Sequence, residues 1–292
     1  MERLSIATNA CHADDVRLLP VLRSWLRVFD ATLGEILVIA DDRAPIGRIA
    51  SMHGRHGGPS AFQDLLDQAT QLDPRVRVVR LPPEGALGVY TRRWFRRGHP
   101  VRCQAGTVIA HFLMAIEEAQ NDVILKCDCD MLFRGIDWVA AGTASIDRNE
   151  ADLAEPIRYG HGTGPSGEVS TRAMLLRRSS FHERLLPMRA YKTDWRRRIL
   201  RVIQRRPPWL KLESMLTRLM HEGLRLKTID ESLGTSLHVS RRSDFANPDL
   251  ESIIRIFESG VVPRAQRDAG WDFAPAAWID FECPPSAPLH GA

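Results

Sequence analysis

The sequence predicts an α/β protein with a mostly parallel central sheet flanked by helices and a helical and irregular C-terminal extension. Across the first 135 residues, short apolar runs typical of buried strands alternate with longer segments whose apolar residues recur at helical spacing. Strands that alternate with helices favour a parallel sheet with right-handed crossovers. Acidic residues directly follow two of these runs, at the strand ends where open sheets bind ligands.

Each element is predicted from its own pattern. Nearly continuous apolar runs indicate central strands covered on both faces, alternating polarity indicates a strand nearer the edge, and a recurrence every three to four residues indicates a helix. The predicted strands are 4–8, 35–40, 76–81, 123–127, 169–176, 224–229 and 235–240, and the predicted helices are 14–29, 107–120, 209–222 and 248–258.

We expect these elements to form one domain over residues 1–245, with a basic insertion at 184–208. Residues 246–292 are expected to pack on the same domain as a helix and an irregular tail. The chain has 292 residues, of which 44% are apolar and 26% charged, so it can bury a substantial core and is not a disordered tail.

Composition also excludes several classes of protein. Five cysteines are few and odd in number, which argues against a disulfide-built secreted domain. No apolar run approaches the roughly 20 residues that span a bilayer, and the first residues lack the pattern of a signal peptide. We therefore expect a cytoplasmic protein, with a possible peripheral position on the inner face of the membrane.

The net charge of +4 is unevenly distributed. Nine basic residues and one acidic residue lie between Arg184 and Arg206, a local charge of +8 that leaves −4 for the rest of the chain. A nucleic-acid partner is not expected, because tracking phosphates needs a broader basic face. Within 195–209, arginines are mixed with tryptophans and aliphatic residues, a composition that suits an anionic membrane surface or a phosphate-bearing acceptor. A solvated arginine-rich insertion is the alternative.

The pair Asp128 and Asp130 is the main chemical signal. It follows the apolar run 123–127 directly, and two carboxylates spaced in this way can converge on a hard divalent cation such as Mg²⁺ or Mn²⁺. The spacing of the flanking cysteines, Cys127 and Cys129, is not that of a zinc site. A solvated turn at the end of a strand is the alternative interpretation.

In the order of its segments the chain resembles nucleotide-sugar glycosyltransferases of the GT-A fold, a Rossmann-like α/β fold, and in particular family 2. The resemblance covers roughly residues 3–245. Each motif alone is loose, and the specificity lies in their order. The segments that carry it are 6–9, 36–42, 102–133, 167–181, the helix that holds Glu213, and Leu237-His238.

The resemblance implies a metal-dependent hexosyltransferase. Asp130 would be the main ligand of a Mn²⁺ or Mg²⁺ ion that bridges the diphosphate of the donor, and Asp128 would contact the ribose or share the metal. His238 falls where a late histidine often completes the metal sphere. A packed or surface histidine is the alternative for His238.

The nucleotide-sugar donor would be bound by residues near the ends of the first strands. The resemblance implies that Thr8 and Asn9 line the base pocket and that Asp41 or Asp42 contacts the nucleoside. Arg102 matches a basic position that approaches the base or the phosphates. Asp41 and Asp42 could instead simply terminate a strand.

The candidate catalytic base is Glu213. Inverting members of the family carry an acidic pair near the start of a late helix, and this chain has Glu213-Ser214 there. The resemblance implies an inverting transfer with Glu213 as base, while the departure from two acids leaves the stereochemical outcome open. A solvated acid in a first helical turn is the alternative. The acceptor is not identified by the sequence, and a glycan, a lipid-linked molecule or a small molecule is expected.

Two other functions remain open at this point. A magnesium-dependent phosphohydrolase could use Asp128 and Asp130, although Leu132 stands where that class usually has Thr or Val, and its motif normally lies near the N-terminus. A non-enzymatic module could bind a membrane or nucleic acid through 184–206. A sugar nucleotidyltransferase is disfavoured, because residues 8–11 lack its glycine-rich loop.

Overall fold

A single mixed sheet forms the centre of the protein in the computed structural model, which describes residues 2–14, 17–43, 59–96, 101–103, 108–158, 169, 171–196, 199, 207–238 and 247–260. Within these residues the sheet has nine strands. They are β1 (Leu4–Cys11), β2 (Leu33–Asp41), β3 (Val76–Arg80), β4 (Val123–Cys127), β5 (Met131–Arg134), β6 (Leu153–Arg158), β7 (Ala173–Arg177), β8 (Leu226–Ile229) and β9 (Thr235–His238).

Helices cover both faces of this sheet. Those in the described residues are α1 (Leu18–Val28), α2 (Pro59–Leu72), α3 (Glu84–Trp94), α4 (Ile109–Glu118), α5 (Asp137–Asp147), α6 (Arg178–Leu185), α7 (Leu212–His221) and α8 (Asn247–Glu258). Short 3₁₀ turns lie at His12–Asp14 and Glu231–Leu233. None of the described helices is long and apolar enough to cross a membrane.

The strand order is β3-β2-β1-β4-β7-β6-β9-β5, with β8 paired to β6. The first four strands in this order run parallel to one another, and β7 is antiparallel to both β4 and β6. Strand β6 is parallel to β8 and β9, whereas β5 and β9 are antiparallel. The predicted α/β class with a mostly parallel sheet flanked by helices is confirmed.

Aromatic side chains fill the core on each side of the sheet. The indole nitrogen Nε1 of Trp25 donates a hydrogen bond to the Met131 carbonyl at 2.8 Å, which ties α1 to β5. Each buried aromatic contributes about 1.5–3 kcal/mol through removal of apolar surface from water. One side contains Trp25, Phe29, Phe133 and Trp138, and the other contains Trp94, Phe112 and Phe181.

Three predicted elements start three or more residues later than expected. Helix α1 begins at Leu18 rather than at residue 14, which places Pro20 in the first turn, where a missing N–H breaks no helical bond. Strand β7 begins at Ala173 rather than at 169, because the Val169 N–H bonds to Thr217 Oγ1 at 3.0 Å and not to a strand. Helix α7 begins at Leu212 rather than at 209, since Trp209 forms a β-bridge with Lys192.

Several predictions fall partly outside the described residues. These are the end of the strand 235–240, most of the insertion 184–208, and the tail after residue 260. The described part of the C-terminal extension, α8, packs against α1, where Ser24 Oγ donates to Glu258 at 2.6 Å and Phe257 is fully buried. The division into domains stays a prediction.

Candidate active site

Strand register brings the predicted acidic residues to one edge of the sheet. Strand β1 lies between β2 and β4 and runs parallel to both, with Cys11 opposite Asp41 and Ala7 opposite Lys126. The carboxyl ends of the three strands therefore meet at the same edge, which is the ligand-binding edge of open α/β sheets. Asn9, Asp41 and Asp128 all lie there.

The turn that contains Asp128 and Asp130 is held by strands on both sides. The Asp128 N–H donates to the Arg172 carbonyl at 3.0 Å, and the Met131 N–H donates to the Asp128 carbonyl at 3.3 Å. Asp130 is only 3% exposed, whereas Asp128 is half-buried. Because β4 ends at Cys127 and β5 begins at Met131, the turn has little freedom to move.

Strand pairing places the backbone of His238 beside this turn. His238 lies opposite Met131, the residue after Asp130, in the antiparallel pair of β9 and β5. The side chain of His238 is not among those described. In the described part of the chain, no three His, Cys, Asp or Glu side chains gather as a metal-binding group. The metal-binding roles of Asp128, Asp130 and His238 therefore all stay predictions.

The donor atoms of the turn fit a hard divalent cation. Asp128 and Asp130 supply carboxylate oxygens, and Mg²⁺ is commonly bound by one or two carboxylates, with phosphate oxygens of the substrate and water completing its shell. Two carboxylates in one turn suit a metal site completed by substrate and water better than a site formed by protein ligands alone.

Unsatisfied polar atoms lie at the end of β1. The side-chain oxygens of Thr8 and Asn9 are inaccessible to water and have no hydrogen-bond partner among the described residues. Leaving a buried polar atom unpaired costs about 1–3 kcal/mol. A polar ligand that reached these two atoms would recover that free energy, which is the behaviour expected of the predicted base pocket.

Asp41 and Asp42 have different partners and different exposure in the structure. The Arg43 side chain donates two bonds to Asp41, from Nε to Oδ1 at 2.7 Å and from Nη2 to Oδ2 at 3.1 Å. The Nη1 of the same guanidinium is buried and has no partner among the residues described. Asp42 is about half exposed and is paired with Arg80 at the end of β3. Of the two candidates for the nucleoside contact, Asp41 is therefore the one whose partner, Arg43, keeps a buried nitrogen with no hydrogen bond among the described residues.

Arg102 and the start of α4 lie close to this group. Arg102 is half-buried and forms a β-bridge with Val108, and the Ile109 N–H donates to the Val101 carbonyl at 2.7 Å. These bonds fix Arg102 just before the first turn of α4. Its guanidinium is near enough to influence the His111 imidazole.

His111 is a site residue that the sequence did not reveal. It lies in the first turn of α4, and its Nδ1 is buried with no hydrogen-bond partner in the part of the chain that the structure describes. Burial and the Lys126 ammonium lower the pKa of His111 to about 3, with Arg43 and Arg102 acting in the same direction and Asp41 against them. The imidazole is therefore neutral at pH 7.

Lys126 is a second residue near the site that the sequence analysis did not identify. Its side chain is 1% exposed, and the Nζ donates to the Cys127 carbonyl at 2.9 Å and lies 5.3 Å from the centre of the Phe112 ring. Burial lowers the pKa of the ammonium, and the nearby carboxylates of Asp128 and Glu213 oppose that shift. A charged residue inside the apolar run 123–127 was the sequence signal that could have identified it.

Glu213 lies in the first turn of α7, as predicted, and is held by Thr171. The Thr171 hydroxyl donates to Glu213 Oε1 at 2.8 Å, and Thr171 itself is 8% exposed. The Arg172 carbonyl, next along the chain, accepts the bond from Asp128. Glu213 is therefore linked through two consecutive residues to the turn of the paired aspartates, and it is not simply a solvated acid.

A separate surface groove lies elsewhere. Its volume is about 710 Å³, and it runs between α5, β8 and the 3₁₀ turn at Glu231–Leu233. None of the predicted site residues lines it; its charged residues are Arg148, Glu150, Lys227 and Asp230.

Comparisons with known proteins find likeness only at the level of structure. No protein-family model and no curated protein matches the chain. Similar solved structures include the mannosyltransferase PcManGT from Pyrobaculum calidifontis in complex with GDP-Man and Mn²⁺, at 12% identity and a TM-score of 0.43 over 91% of this chain and 63% of that one.

Two further structures are similar to the same degree. The galactosyltransferase LgtC, in complex with donor and acceptor sugar analogues, is 12% identical with a TM-score of 0.43 over 89% of this chain and 84% of that one. Residues 1–349 of S. aureus TarS are 11% identical with a TM-score of 0.43 over 88% and 64%. The chain thus spans less than two thirds of the lengths compared for PcManGT and TarS. The likeness concerns the fold alone, and the α/β class follows from the strand order and pairing described above.

Proposed function

We propose that the protein is a glycosyltransferase that moves a hexose from a nucleotide-diphosphate donor to an acceptor hydroxyl. The observation that carries the proposal is the arrangement at the sheet edge. The turn of Asp128 and Asp130 lies between unsatisfied polar atoms of Thr8 and Asn9 on one side and Glu213 on the other. Such a site has separate places for a nucleoside, a diphosphate and an acceptor.

In this proposal the end of β1 binds the nucleoside. Thr8 and Asn9 offer oxygens that can accept hydrogen bonds from a base, and the Thr8 hydroxyl can also donate one. Asp41 would accept from a ribose hydroxyl, and Arg102 would approach the phosphates. His111, being neutral, would offer a ring nitrogen without adding charge.

Asp128 and Asp130 would hold a Mn²⁺ or Mg²⁺ ion, with His238 as the proposed further ligand. When bound, the ion would stabilise the negative charge that develops on the diphosphate as the glycosidic bond breaks. The carboxylates of Asp128 and Asp130 would fix the position of the ion at the sheet edge. The strands on either side of the turn, β4 and β5, restrain these two residues.

Glu213 would act as the general base. The acceptor oxygen forms a bond to the anomeric carbon, the bond from that carbon to the phosphate oxygen breaks, and the acceptor proton passes to the Glu213 carboxylate. General-base help of this kind is worth roughly 10²–10⁴-fold in rate. A single displacement inverts the anomeric configuration, and the hydrogen bond from Thr171 to Glu213 leaves the other carboxylate oxygen for the proton.

Thermal unfolding in the presence of UDP-, GDP- and dTDP-sugars, with and without Mn²⁺, tests this function. A ligand that binds only the native state raises the unfolding temperature. We expect one nucleotide-sugar to do so in a metal-dependent way, and Asp130→Asn to abolish the response. Asp64→Asn, a change at an exposed position of α2, is the matched control.

No response to any donor would contradict the proposed function. Metal-dependent release of phosphate from simple phosphomonoesters, lost in Asp128→Asn, would favour the phosphohydrolase instead.

We further propose that residues 195–209 contact an anionic membrane, on the cytoplasmic face where a lipid-linked acceptor would lie. Trp195 and Ile199 are 61% and 55% exposed, and they are four residues apart, the spacing of one helix face. The Arg196 guanidinium lies 5.4 Å from the Trp195 ring. Apolar side chains among arginines are typical of surfaces that insert into anionic lipid headgroups.

Sedimentation with vesicles tests the membrane contact. We expect binding to vesicles that contain phosphatidylglycerol and not to pure phosphatidylcholine, with loss in Trp195→Ala/Ile199→Ala. Val89→Ala, at another exposed apolar position, should leave binding unchanged. Equal binding by the double variant, or preferential binding to duplex DNA, would contradict the proposal.

A further inference from the structure

The surface groove beside α5 has the form of a site where an extended segment joins a sheet. One wall is a single face of α5 and the residue after it, because its members are spaced three, one and three positions apart. The opposite wall is β8 with the 3₁₀ turn that follows it. An extended segment that lies along the edge of a strand can add to the sheet as a further strand. The residues of the helix wall are Ala141, Ala144, Ser145 and Arg148.

Strand β8, which lines the groove over 227–229, has an edge that no described strand covers. It pairs with β6 on its other side. The Leu153 N–H donates to the Arg225 carbonyl at 3.2 Å, so the backbone of Arg225 faces β6. Successive residues of a strand direct their backbone groups alternately to its two sides, and the N–H and C=O groups of Leu226 and Thr228 therefore face away from β6. An edge of this kind is a template for another strand.

The lining of the groove favours an occupant with large apolar side chains on one face. Its apolar part consists of Ala141, Ala144, Ile229 and Leu233, and the two alanines are small enough to leave room for larger side chains. The two basic and two acidic residues of the lining balance one another, so the groove has no net charge that would attract a charged ligand. Alternate side chains of an added strand would point towards the helix wall.

The last described residues of the chain lie close to this groove. A Cβ at Gly260 would be 3.1 Å from Arg134 Nη1, and Arg134 is paired with Thr235 in the neighbouring strands. Thr235 comes two residues after Leu233, which lines the groove. The sequence continues for 32 residues, 261–292, and each can span about 3.3 Å when extended. The segment after Gly260 is therefore long enough to reach the groove within the same chain.

One part of that segment has the sequence pattern of a strand. The segment as a whole is expected to be irregular, but apolar residues alternate with Trp278, Asp280 and Glu282 over 277–283. Prolines at positions 275 and 284 lie on either side of this run. Alternation over four to eight residues between prolines predicts a strand. The apolar residues of the alternation are Ala277, Ile279, Phe281 and Cys283.

We propose that residues 277–283 add to the free edge of β8 in the same chain. Ile279 and Phe281 enter the groove beside Ala141 and Ala144, and the acids of the segment point to the other face of the sheet. The added strand pairs with the outward-facing backbone groups of β8 and covers that edge. This inference is independent of the proposed function, because none of the predicted site residues lines the groove.

Amide hydrogen exchange of the full chain, followed by NMR, tests this docking. The variant is Ile279→Asp/Phe281→Asp, which places two charges on the face that would enter the groove. We expect the amides of Leu226 and Thr228 to exchange at least tenfold faster in the variant than in the unaltered chain, because an amide that loses its strand partner is open to water.

Two internal comparisons show whether the effect is local. The amides of Lys227 and Ile229 face β6 and should exchange at the same rate in both proteins. Ala144→Glu should speed exchange at the free edge as the double variant does, since it fills the groove from the helix side. Ala140→Glu, the same change at an exposed position of α5 outside the groove, should leave exchange unchanged.

Asp280→Asn/Glu282→Gln alters the other face of the same segment and should also leave exchange unchanged. Fast exchange of the Leu226 and Thr228 amides in the unaltered chain would overturn the proposal, and so would equal exchange in the unaltered chain and in Ile279→Asp/Phe281→Asp. Protection that rises with protein concentration, together with sedimentation as a dimer, would assign the groove to a second copy and equally overturn docking within one chain.

Discussion

The hydrogen bond from Thr171 to Glu213 gives the sharpest local prediction. Thr171→Val removes the hydroxyl and keeps the shape of the side chain, so the change isolates one bond of 2.8 Å. A hydrogen bond to a charged group contributes about 1.5–3 kcal/mol. Because Glu213 is half-buried and water can replace part of the bond, we expect a loss near the lower end, about 1.5 kcal/mol.

Urea unfolding measures this loss, and Thr171→Ser is the control, because serine keeps a hydroxyl at the same place. If Glu213 is the base, Thr171→Val should also reduce kcat about tenfold, because a carboxylate without its orienting hydrogen bond loses part of the roughly 10²–10⁴-fold that general-base catalysis supplies. The KM for the donor should stay unchanged. A serine variant as unstable as the valine variant, or a valine variant with normal stability, would refute the role of this bond.

Three further predictions concern particular residues. The folded-state pKa of His111, about 3, lies below its ordinary value of 6.5, so the unfolded chain binds more protons between these values. Stability should therefore be lost as the pH falls from 6.5 towards 3, by up to about 1.4 kcal/mol per pH unit, and unfolding of His111→Asn across this range should lack that slope. Trp25→Phe leaves the buried Met131 carbonyl without its indole donor and should cost about 2–4 kcal/mol in chemical unfolding, whereas a loss below about 0.5 kcal/mol would contradict the packing of α1 on β5. Gly234→Ala should unfold at a lower temperature, because Gly234 has φ +152° and a Cβ there would meet the Arg134 carbonyl oxygen at 2.9 Å, while Gly85→Ala, with open space around it in α3, should be neutral or stabilising.

The apolar runs of the sequence predicted the parallel half of the sheet well. Strands β1, β2 and β4 are buried along most of their length, so their sequences carry a strong and continuous signal, whereas the edge strand β3 is marked by alternating polarity. The ends of these strands, and with them Asp41 and Asp128, followed directly. The end of such a strand is marked by the change from apolar to acidic residues next to it in the sequence, so a single sequence is enough to locate it.

The rest of the site depends on pairings between distant segments. Strand β5 is four residues long and pairs with β9, about a hundred residues later in the chain, which no local pattern encodes. Thr171 lies in the segment 169–176, predicted as a strand, and its bond to Glu213 spans 42 residues. Lys126 is a visible exception in the apolar run 123–127, but the run does not reveal which carboxylates oppose the shift of its pKa, because Glu213 comes from a distant helix.

The proposed function requires the turn of Asp128 and Asp130 to bind a nucleotide diphosphate through a divalent cation. Titration calorimetry with UDP, GDP and dTDP, in the presence and absence of Mn²⁺, measures this directly on the purified protein. We predict that one nucleotide binds, that its affinity falls at least tenfold without the metal, and that Asp130→Asn removes the dependence on metal. Failure of all three nucleotides to bind, or binding that changes neither without Mn²⁺ nor in Asp130→Asn, would contradict the proposed function.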